Sequence, residues 1–324
     1  MIPKVVLLST GGTIAMSSDP QAGGTIPALG GQDLRRLLPD WAGPVEIIEH
    51  SRMPTAHFTL DMLWGLRERV QELARRPDIA GIVITHGTDT MEETAYLLDL
   101  TVEGDTPLVM TGSMRSASDP GYEGPANLLA ALRVASDPAA RGIGAVIVAQ
   151  DEVHAARAVT KMHTTSPATF QSPFWGPLGR VDGERVILRR LPERHVLRTE
   201  RLEGQVLLIK LAVAMDDALL RYAVEWGMRG VVLEALGGGR VPPWWLAAIS
   251  GAIARDVAVV VTSRCAAGPC FDRYGYAGAH KDLVAAGALF AHGLNGPKAR
   301  IKLMAALGAG LTGERLREAF EREP

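Results

Sequence analysis

Short, unbroken aliphatic runs, each followed by a helical pattern, constrain this chain more than any other feature of its sequence. The runs fall at 5–9, 81–85, 108–111, 145–149, 206–211, 230–234 and 258–262. They are continuous rather than alternating, as expected of strands covered on both faces in a parallel sheet. Between them lie amphipathic stretches. Over 59–76, Leu60, Leu63, Leu66, Val70 and Leu73 share one stripe with Arg and Glu opposite. Over 299–307 the pattern returns with Ile301, Met304 and Leu307, and Pro297 sits near the helix start, where its missing N–H costs little. This alternation predicts an α/β fold with parallel sheets flanked by helices and joined by right-handed crossovers.

A chain of 324 residues fits two domains better than one. The rhythm breaks over 181–205, a charged stretch with Pro192 in its middle that resembles a surface hairpin leading into a linker. The expected organisation is a catalytic N-terminal α/β domain over 1–191, a linker over 192–204 and a smaller α/β domain over 205–324.

Charge excludes several classes of function. Lys and Arg number 34 against 36 Asp and Glu, a formal net charge of -2, with no basic block for a nucleic acid to bind. Arg67, Arg69, Arg75 and Arg76 read as one solvated helix face. No apolar stretch reaches the roughly 18–20 residues that span a bilayer, so no membrane partner is expected. The run at 5–8 is too short for a signal-peptide core and meets a Gly-Gly turn at once. The expected address is the cytoplasm. Cys265 and Cys270 suit a reducing compartment as ordinary loop thiols, and their spacing matches no zinc pattern.

Three segments place hydroxyls, a carboxylate and a lysine at the ends of predicted strands, where α/β proteins bind ligands. Ser9-Thr10-Gly11-Gly12-Thr13 follows the first run. Its glycines permit a sharp turn and close approach to a ligand, although a purely structural turn reads equally well. No phosphate-binding glycine pattern is present. His86-Gly87-Thr88-Asp89-Thr90-Met91-Glu92 follows the second run. Asp89 and Glu92 resemble a capping arrangement at a helix start, which leaves Thr88 and His86 unexplained. Thr160-Lys161-Met162-His163 carries a lysine in a setting where its pKa can be lowered enough for it to accept a proton. A threonine needs an adjacent base to attack at neutral pH, and a lysine can supply one. His86, His154 and His163 lack metal-ligand spacing and read as packing or hydrogen-bonding groups.

At this point the residues resemble a family. Thr10-Gly-Gly-Thr-Ile-Ala15 and His86-Gly-Thr-Asp-Thr-Met-Glu-Glu-Thr94 are similar to the two signature motifs of bacterial-type L-asparaginases and glutaminase-asparaginases. The likeness continues in order through Gly112-Ser113-Met114-Arg115, Gly124-Pro125-Ala126-Asn127, Thr160-Lys161, Gly176-Pro177-Leu178-Gly179 and Pro297-Lys298-Ala299-Arg300. The resemblance implies a two-domain amidohydrolase that needs no metal or organic cofactor. It implies a homotetramer, a dimer of dimers, with active sites between the N-terminal domain of one subunit and the C-terminal domain of its neighbour. Thr13 would be the nucleophile, and Thr88, Asp89 and Lys161 the second catalytic group. Gly12, Ser51, Arg52, Thr88, Asp89 and Ser113 would hold the substrate, with Ser51 at its α-carboxylate and Asp89 at its α-ammonium. The reaction would release ammonia from L-asparagine through a threonine ester.

Three departures stand beside this likeness. The family's mobile loop usually carries a tyrosine near the nucleophile, whereas residues 17–31 hold none, and Gly24 or Thr25 falls about where it belongs. Tyr274 and Tyr276 are candidates to replace it. Ser51 is followed by Arg52-Met53-Pro54-Thr55 rather than a polar and acidic continuation. Arg240 and His280 stand where Asn and Glu often approach the α-ammonium. These departures leave open another small amide as substrate (D-asparagine, glutamine or a modified amino acid), or a non-catalytic amino-acid sensor on the same fold. A tRNA-linked amidotransferase component in the family carries an added N-terminal domain. This chain begins four residues before its first expected strand, so the expectation is a hydrolase.

Overall fold

A computed structural model describes residues 3–39, 44–189, 193–271 and 273–321. Pro192, the expected middle of the linker, lies outside the described residues. The chain divides into two compact units, residues 1–196 and 197–324.

The larger unit is built on one mixed sheet. Five strands run parallel: β1 (Lys4–Ser9), β4 (Val45–Glu49), β5 (Ile79–Thr85), β6 (Leu108–Thr111) and β7 (Ala145–Ala149), in the order β7-β6-β5-β1-β4. Beyond this parallel core the sheet changes direction at one edge. There β8 (Glu152–Ala155), β11 (Gly179–Asp182) and β12 (Arg185–Leu188) continue the sheet antiparallel beyond β7. Short reversals of a few residues, such as 150–151 and 183–184, cannot carry the crossover that parallel pairing requires. The charged stretch expected as a hairpin is the β11–β12 pair. Residues 16–27, expected as a loop, form a second hairpin of β2 (Met16–Asp19) and β3 (Gly24–Pro27).

Both faces of the central strands are covered, which explains their continuous apolar runs. Val5, Leu7, Val83 and Val109 point to one face, packed under α1 (Gly31–Arg36) and α4 (Gly124–Ser136). Val6, Leu8, Ile82 and Ile84 point to the other, under α2 (Leu60–Ala74) and α3 (Met91–Thr101). Each such side chain contributes about 1.5–3 kcal/mol on burial. In α2, Thr59 caps the start by accepting from the Met62 amide at 3.3 Å, and Leu66, Val70 and Leu73 form its buried stripe. Its arginines are not simply solvated. Arg67 reaches the Thr101 carbonyl at 2.6 Å and Arg76 pairs with Glu46 and Asp78.

The smaller unit holds a four-stranded parallel sheet of β13 (Val206–Lys210), β14 (Gly230–Ala235), β15 (Ala258–Ser263) and β16 (Leu289–Phe290). Against it pack α5 (Ala218–Glu225), α6 (Trp245–Ile253), α7 (His280–Ala285) and α8 (Gly296–Gly308), with α9 (Gly313–Glu321) closing the sequence of elements. Asn295 caps α8 by accepting from the Lys298 amide at 3.1 Å, and Ile301 and Met304 are buried as their spacing predicts. Residues 193–204 divide between the units. Arg194 Nε donates to Asp99 at 2.9 Å within the first, and the Glu203 amide to the Met304 carbonyl at 2.9 Å within the second.

Candidate active site

The order of the parallel strands creates the site. From β1 the chain passes to β4 on one side and then to β5 on the other, so the carboxyl ends of β1 and β5 flank a topological switch point, where α/β sheets open a crevice. Both signature motifs leave the sheet there.

Beyond β1, Thr10 ties the two strand ends together, its hydroxyl donating to the Thr85 carbonyl at 2.7 Å. Gly11 and Gly12 then turn the chain with φ of 106° and 84°, a region that favours glycine. A Cβ on Gly11 would lie 2.8 Å from the Met53 carbonyl oxygen, so the backbone runs through a gap no side chain fits. Thr13 opens a single 3-10 turn, Thr13–Ala15, and is half-buried. Among the described residues its hydroxyl makes no hydrogen bond.

Beyond β5, His86 is fully buried, with Nδ1 2.8 Å from the Gly87 carbonyl and Nε2 3.0 Å from the Thr94 hydroxyl. The carbonyl can only accept, so Nδ1 carries the proton and Nε2 accepts from Thr94. Burial pushes the imidazole down to about 4, so it is neutral and structural at ordinary pH. Thr88 is only 6% exposed and Asp89 follows it into solvent. The capping role expected of Asp89 is corrected. Thr90 is the N-cap of α3 and makes no side-chain cap bond. Asp89 instead turns its carboxylate to a lysine from a distant segment.

That lysine is Lys161, on β9 (Thr160–Lys161), which pairs antiparallel with β10 (Phe170–Gln171). Its Nζ donates to Thr88 Oγ1 at 2.9 Å and to Asp89 Oδ1 at 2.6 Å. Its side chain is 14% exposed against 73% for Asp89, so the pair spans the mouth of the site, hydroxyl inside and carboxylate outside. A hydroxyl, an amine and a carboxylate joined in this way can pass a proton.

The cleft between the motifs has a volume of about 180 Å³. It brings together Gly12, Thr13, Thr88, Asp89 and Lys161. The other expected substrate residues do not line it. Ser51 Oγ donates to the Thr10 carbonyl at 2.8 Å, and Ser113 Oγ to the Arg115 carbonyl at 2.6 Å. Arg52 is held away by Glu49 through two bonds, Nε to Oε1 at 2.6 Å and a terminal nitrogen to Oε2 at 2.9 Å. The pair is bidentate and lies at the surface, with both side chains largely exposed. Met16, Pro54, Thr55, Ala56, Gly87, Met114 and Thr164 complete the lining; Thr55, Gly87, Met114 and Thr164 stand in or beside stretches the sequence singles out, but none was expected to face substrate. Met16 opens β2, and no local pattern marks it for this cleft.

The remaining candidates have structural partners. His154 Nδ1 lies 3.0 Å from the Ser172 hydroxyl, and His163 Nδ1 accepts the amides of Thr165 and Ser166 at 3.0 Å each. In the smaller unit, the Arg240 guanidinium lies 4.5 Å over the Tyr274 ring, Tyr274 stacks on Tyr276, and His280 stacks on Phe290. Cys265 is exposed and Cys270 buried, both unpaired, with burial lifting the Cys270 thiol to about 12. Among the described residues no group of three or more His, Cys, Asp or Glu could hold a metal, and no helix is long and apolar enough to cross a membrane.

Comparison with known proteins agrees with this arrangement. The family model described as Asparaginase, N-terminal matches residues 4–194, and the Glutaminase/Asparaginase C-terminal domain matches residues 205–320. The chain is 33% identical to the L-asparaginase of Bacillus licheniformis, over 95% of this chain and 97% of that one. It is 37% identical to a probable L-asparaginase of Deinococcus radiodurans, over 98% and 97%. It is also 32% identical to the glutaminase-asparaginase of Pseudomonas fluorescens biotype A, over 98% and 90%. Two threonine-bearing motifs meeting at one switch point, and two matched domain models spanning nearly the whole sequence, lead to one conclusion: the chain belongs to the asparaginase family.

Proposed function

We propose that the protein is an amidohydrolase that releases ammonia from the side-chain amide of L-asparagine, giving L-aspartate. The observation that carries this reading is the convergence of Thr13 with the Thr88–Lys161–Asp89 group on one small cleft. Thr13 Oγ attacks the amide carbon, and its proton ends on the departing nitrogen, which leaves as ammonia. The resulting ester is attacked by water, which restores the Thr13 hydroxyl and frees the acid. The Thr88–Lys161–Asp89 group moves protons for these two steps, and Asp89 also faces the substrate's α-ammonium from its exposed position. Gly12 brings the backbone close to the substrate.

The oligomer is proposed as a homotetramer, a dimer of dimers. Support comes from the smaller unit, where Val213, Leu219, Tyr222, Trp226 and Trp244 are exposed and available to a neighbouring copy. A cytoplasmic address is proposed on the two unpaired thiols, which suit a reducing compartment.

A second reading, hydrolysis of another small amide, is favoured by one feature. Met16 and Met114 line the cleft, and their flexible thioether chains can reshape around a different substrate. The deciding experiment measures ammonia release from L-asparagine, D-asparagine, L-glutamine and modified β-amides, beside Thr13→Ala and Thr88→Ala. Release from L-asparagine that both substitutions abolish supports the first reading. Release only from a modified amide moves the assignment to the second. Release that survives both substitutions sinks the site.

A further inference from the structure

The Thr13 hydroxyl has no hydrogen-bond partner among the described residues, so its direction is set by the backbone of its turn. That turn is only Thr13–Ala15, closed by the Ala15 amide donating to the Gly12 carbonyl at 2.9 Å and the Met16 amide to the Thr13 carbonyl. So short a 3-10 segment has little rigidity of its own. On its upstream side the glycine turn is wedged against other backbone. From another segment, the Tyr122 side chain reaches its middle residue. The phenol donates to the Ile14 carbonyl at 2.6 Å, across 108 residues of sequence.

Tyr122 is well placed to act as a strut. Its ring packs on Gly124, where a Cβ would come within 2.3 Å of ring and hydroxyl atoms. Burial and the neighbouring Glu123 carboxylate lift the phenol to about 12, which keeps it a hydrogen-bond donor across the working pH range. The segment bearing it is anchored in turn. Glu123 accepts from the Met114 and Arg115 amides, and Met114 lines the cleft. The same segment holds the strand that follows the turn. The Ala117 amide donates to the Met16 carbonyl at 2.9 Å, and the Ser118 hydroxyl lies 2.7 Å from that of Ser17 and accepts from the Ser18 amide at 2.9 Å.

We propose that Tyr122 is a positioning residue for Thr13, holding the 3-10 turn through the Ile14 carbonyl so that the threonine hydroxyl aims into the cleft. The inference rests on the reading of Thr13 as nucleophile. A bland alternative is that Tyr122 only satisfies a buried carbonyl. The two differ in what they do to turnover, because an error of about 1 Å in a reacting group costs on the order of a hundredfold in rate.

The test is Tyr122→Phe in the full chain, which keeps the ring and removes only the donor. Ammonia release from L-asparagine is followed for kcat, KM and pH profile, with thermal unfolding measured alongside. The expected result, measured well below the Tm of both proteins, is a kcat lowered by at least about tenfold, KM within about twofold, unchanged pH midpoints, and a Tm lowered by no more than a few degrees. A kcat within twofold of wild type overturns the proposal. So does a fall in kcat that vanishes when both proteins are assayed the same number of degrees below their Tm, which marks a structural role alone. A shifted alkaline limb also overturns it, because the phenol would then be exchanging protons rather than positioning. A wild type that gains Tm with L-aspartate yet shows no Thr13-dependent ammonia release overturns the proposal together with the reading beneath it. A fully active Tyr122→Phe overturns the proposal alone.

Discussion

Gly12 meets Gly87 backbone to backbone: a Cβ built on Gly12 would lie 2.5 Å from the Gly87 nitrogen. This contact sets the distance between the turn that bears Thr13 and the turn that bears Thr88. Thr55 extends it, since a Cβ on Gly87 would lie 2.3 Å from the Thr55 hydroxyl oxygen. The site is therefore a stack of two backbone turns in direct contact, with the Thr55 side chain packed against the second.

Gly12→Ala tests the stack. At φ 84° an alanine carries about 1–3 kcal/mol of backbone strain, and the Gly87 backbone must also retreat. Activity is expected to fall by about a hundredfold or more, with a lowered denaturation midpoint. Gly65→Ala, in α2, where a Cβ meets nothing within 4 Å, serves as the control. Equal effects from both would remove the special role of the Gly12–Gly87 contact.

Thr88 and Lys161 act as a unit if the 2.9 Å bond between them matters to turnover. Thr88→Ala and Lys161→Ala are each expected to lower kcat by roughly a thousandfold, and the double variant to be no worse than the poorer single within about tenfold. Multiplying effects in the cycle would mean that the two side chains work independently. Thr13→Ala should be as damaging as either, with the fold intact by circular dichroism.

His86 makes stability depend on pH in a known direction. Its folded value is lowered to about 4 from 6.5, so below pH 6.5 the unfolded chain takes up a proton that the folded chain refuses. Stability is present above 6.5 and is lost as pH falls toward 4, by roughly 2 kcal/mol between pH 7 and pH 5. His154, also lowered by burial, pulls the same way. Urea unfolding of wild type and His86→Gln at both pH values isolates the His86 share. An identical loss in the two proteins would contradict the assignment.

At the opposite end of the same strands, Arg76 and Lys4 hold Glu46 and Asp78. Hydrogen bonds from Arg76 first, then Lys4, bring Glu46 down to about 2 and hold Asp78 well below the usual carboxylate range. Depressed carboxylates stabilise above about pH 4.5 and lose that contribution as pH falls toward 2. Arg76→Ala should therefore be less stable than wild type at pH 7, with the gap narrowing in acid, while kcat and KM stay unchanged. The groups are partly solvated, so the neutral-pH gap should shrink in high salt. A gap that holds constant from pH 7 to pH 2 would show that the arginine acts through packing alone.

Much of the fold is legible in the sequence because burial on two faces imposes a local signature. Strands β1, β5, β6, β7, β14 and β15 are covered on both sides, and every one reads as an unbroken aliphatic run. Strand β4 escapes, since its VEIIE alternates with charges and its residues are only half-buried at the sheet edge. The antiparallel extension through β8, β11 and β12 escapes as well, because pairing direction depends on how short the reversals are rather than on strand composition. The hydroxyls and the lysine at the strand ends are visible because glycine turns and polar runs gather beside them, where α/β proteins bind ligands.

What the sequence cannot contain is distance across space. Thr88 and Lys161 stand 73 residues apart and Tyr122 and Ile14 stand 108 apart, yet each pair meets within 3 Å. Lys161 stands on β9 and Tyr122 between β6 and α4, so both meetings depend on how segments distant in sequence pack at the strand ends. Arg52 shows the converse. Its position beside Ser51 marks it for the substrate, but Glu49, three residues back, presents a carboxylate at 2.6 Å and takes it. Local pattern determined which residues were available for chemistry. Tertiary packing decided which of them face the same cleft, because hydrogen-bond partners compete in three dimensions and the nearest well-oriented one wins.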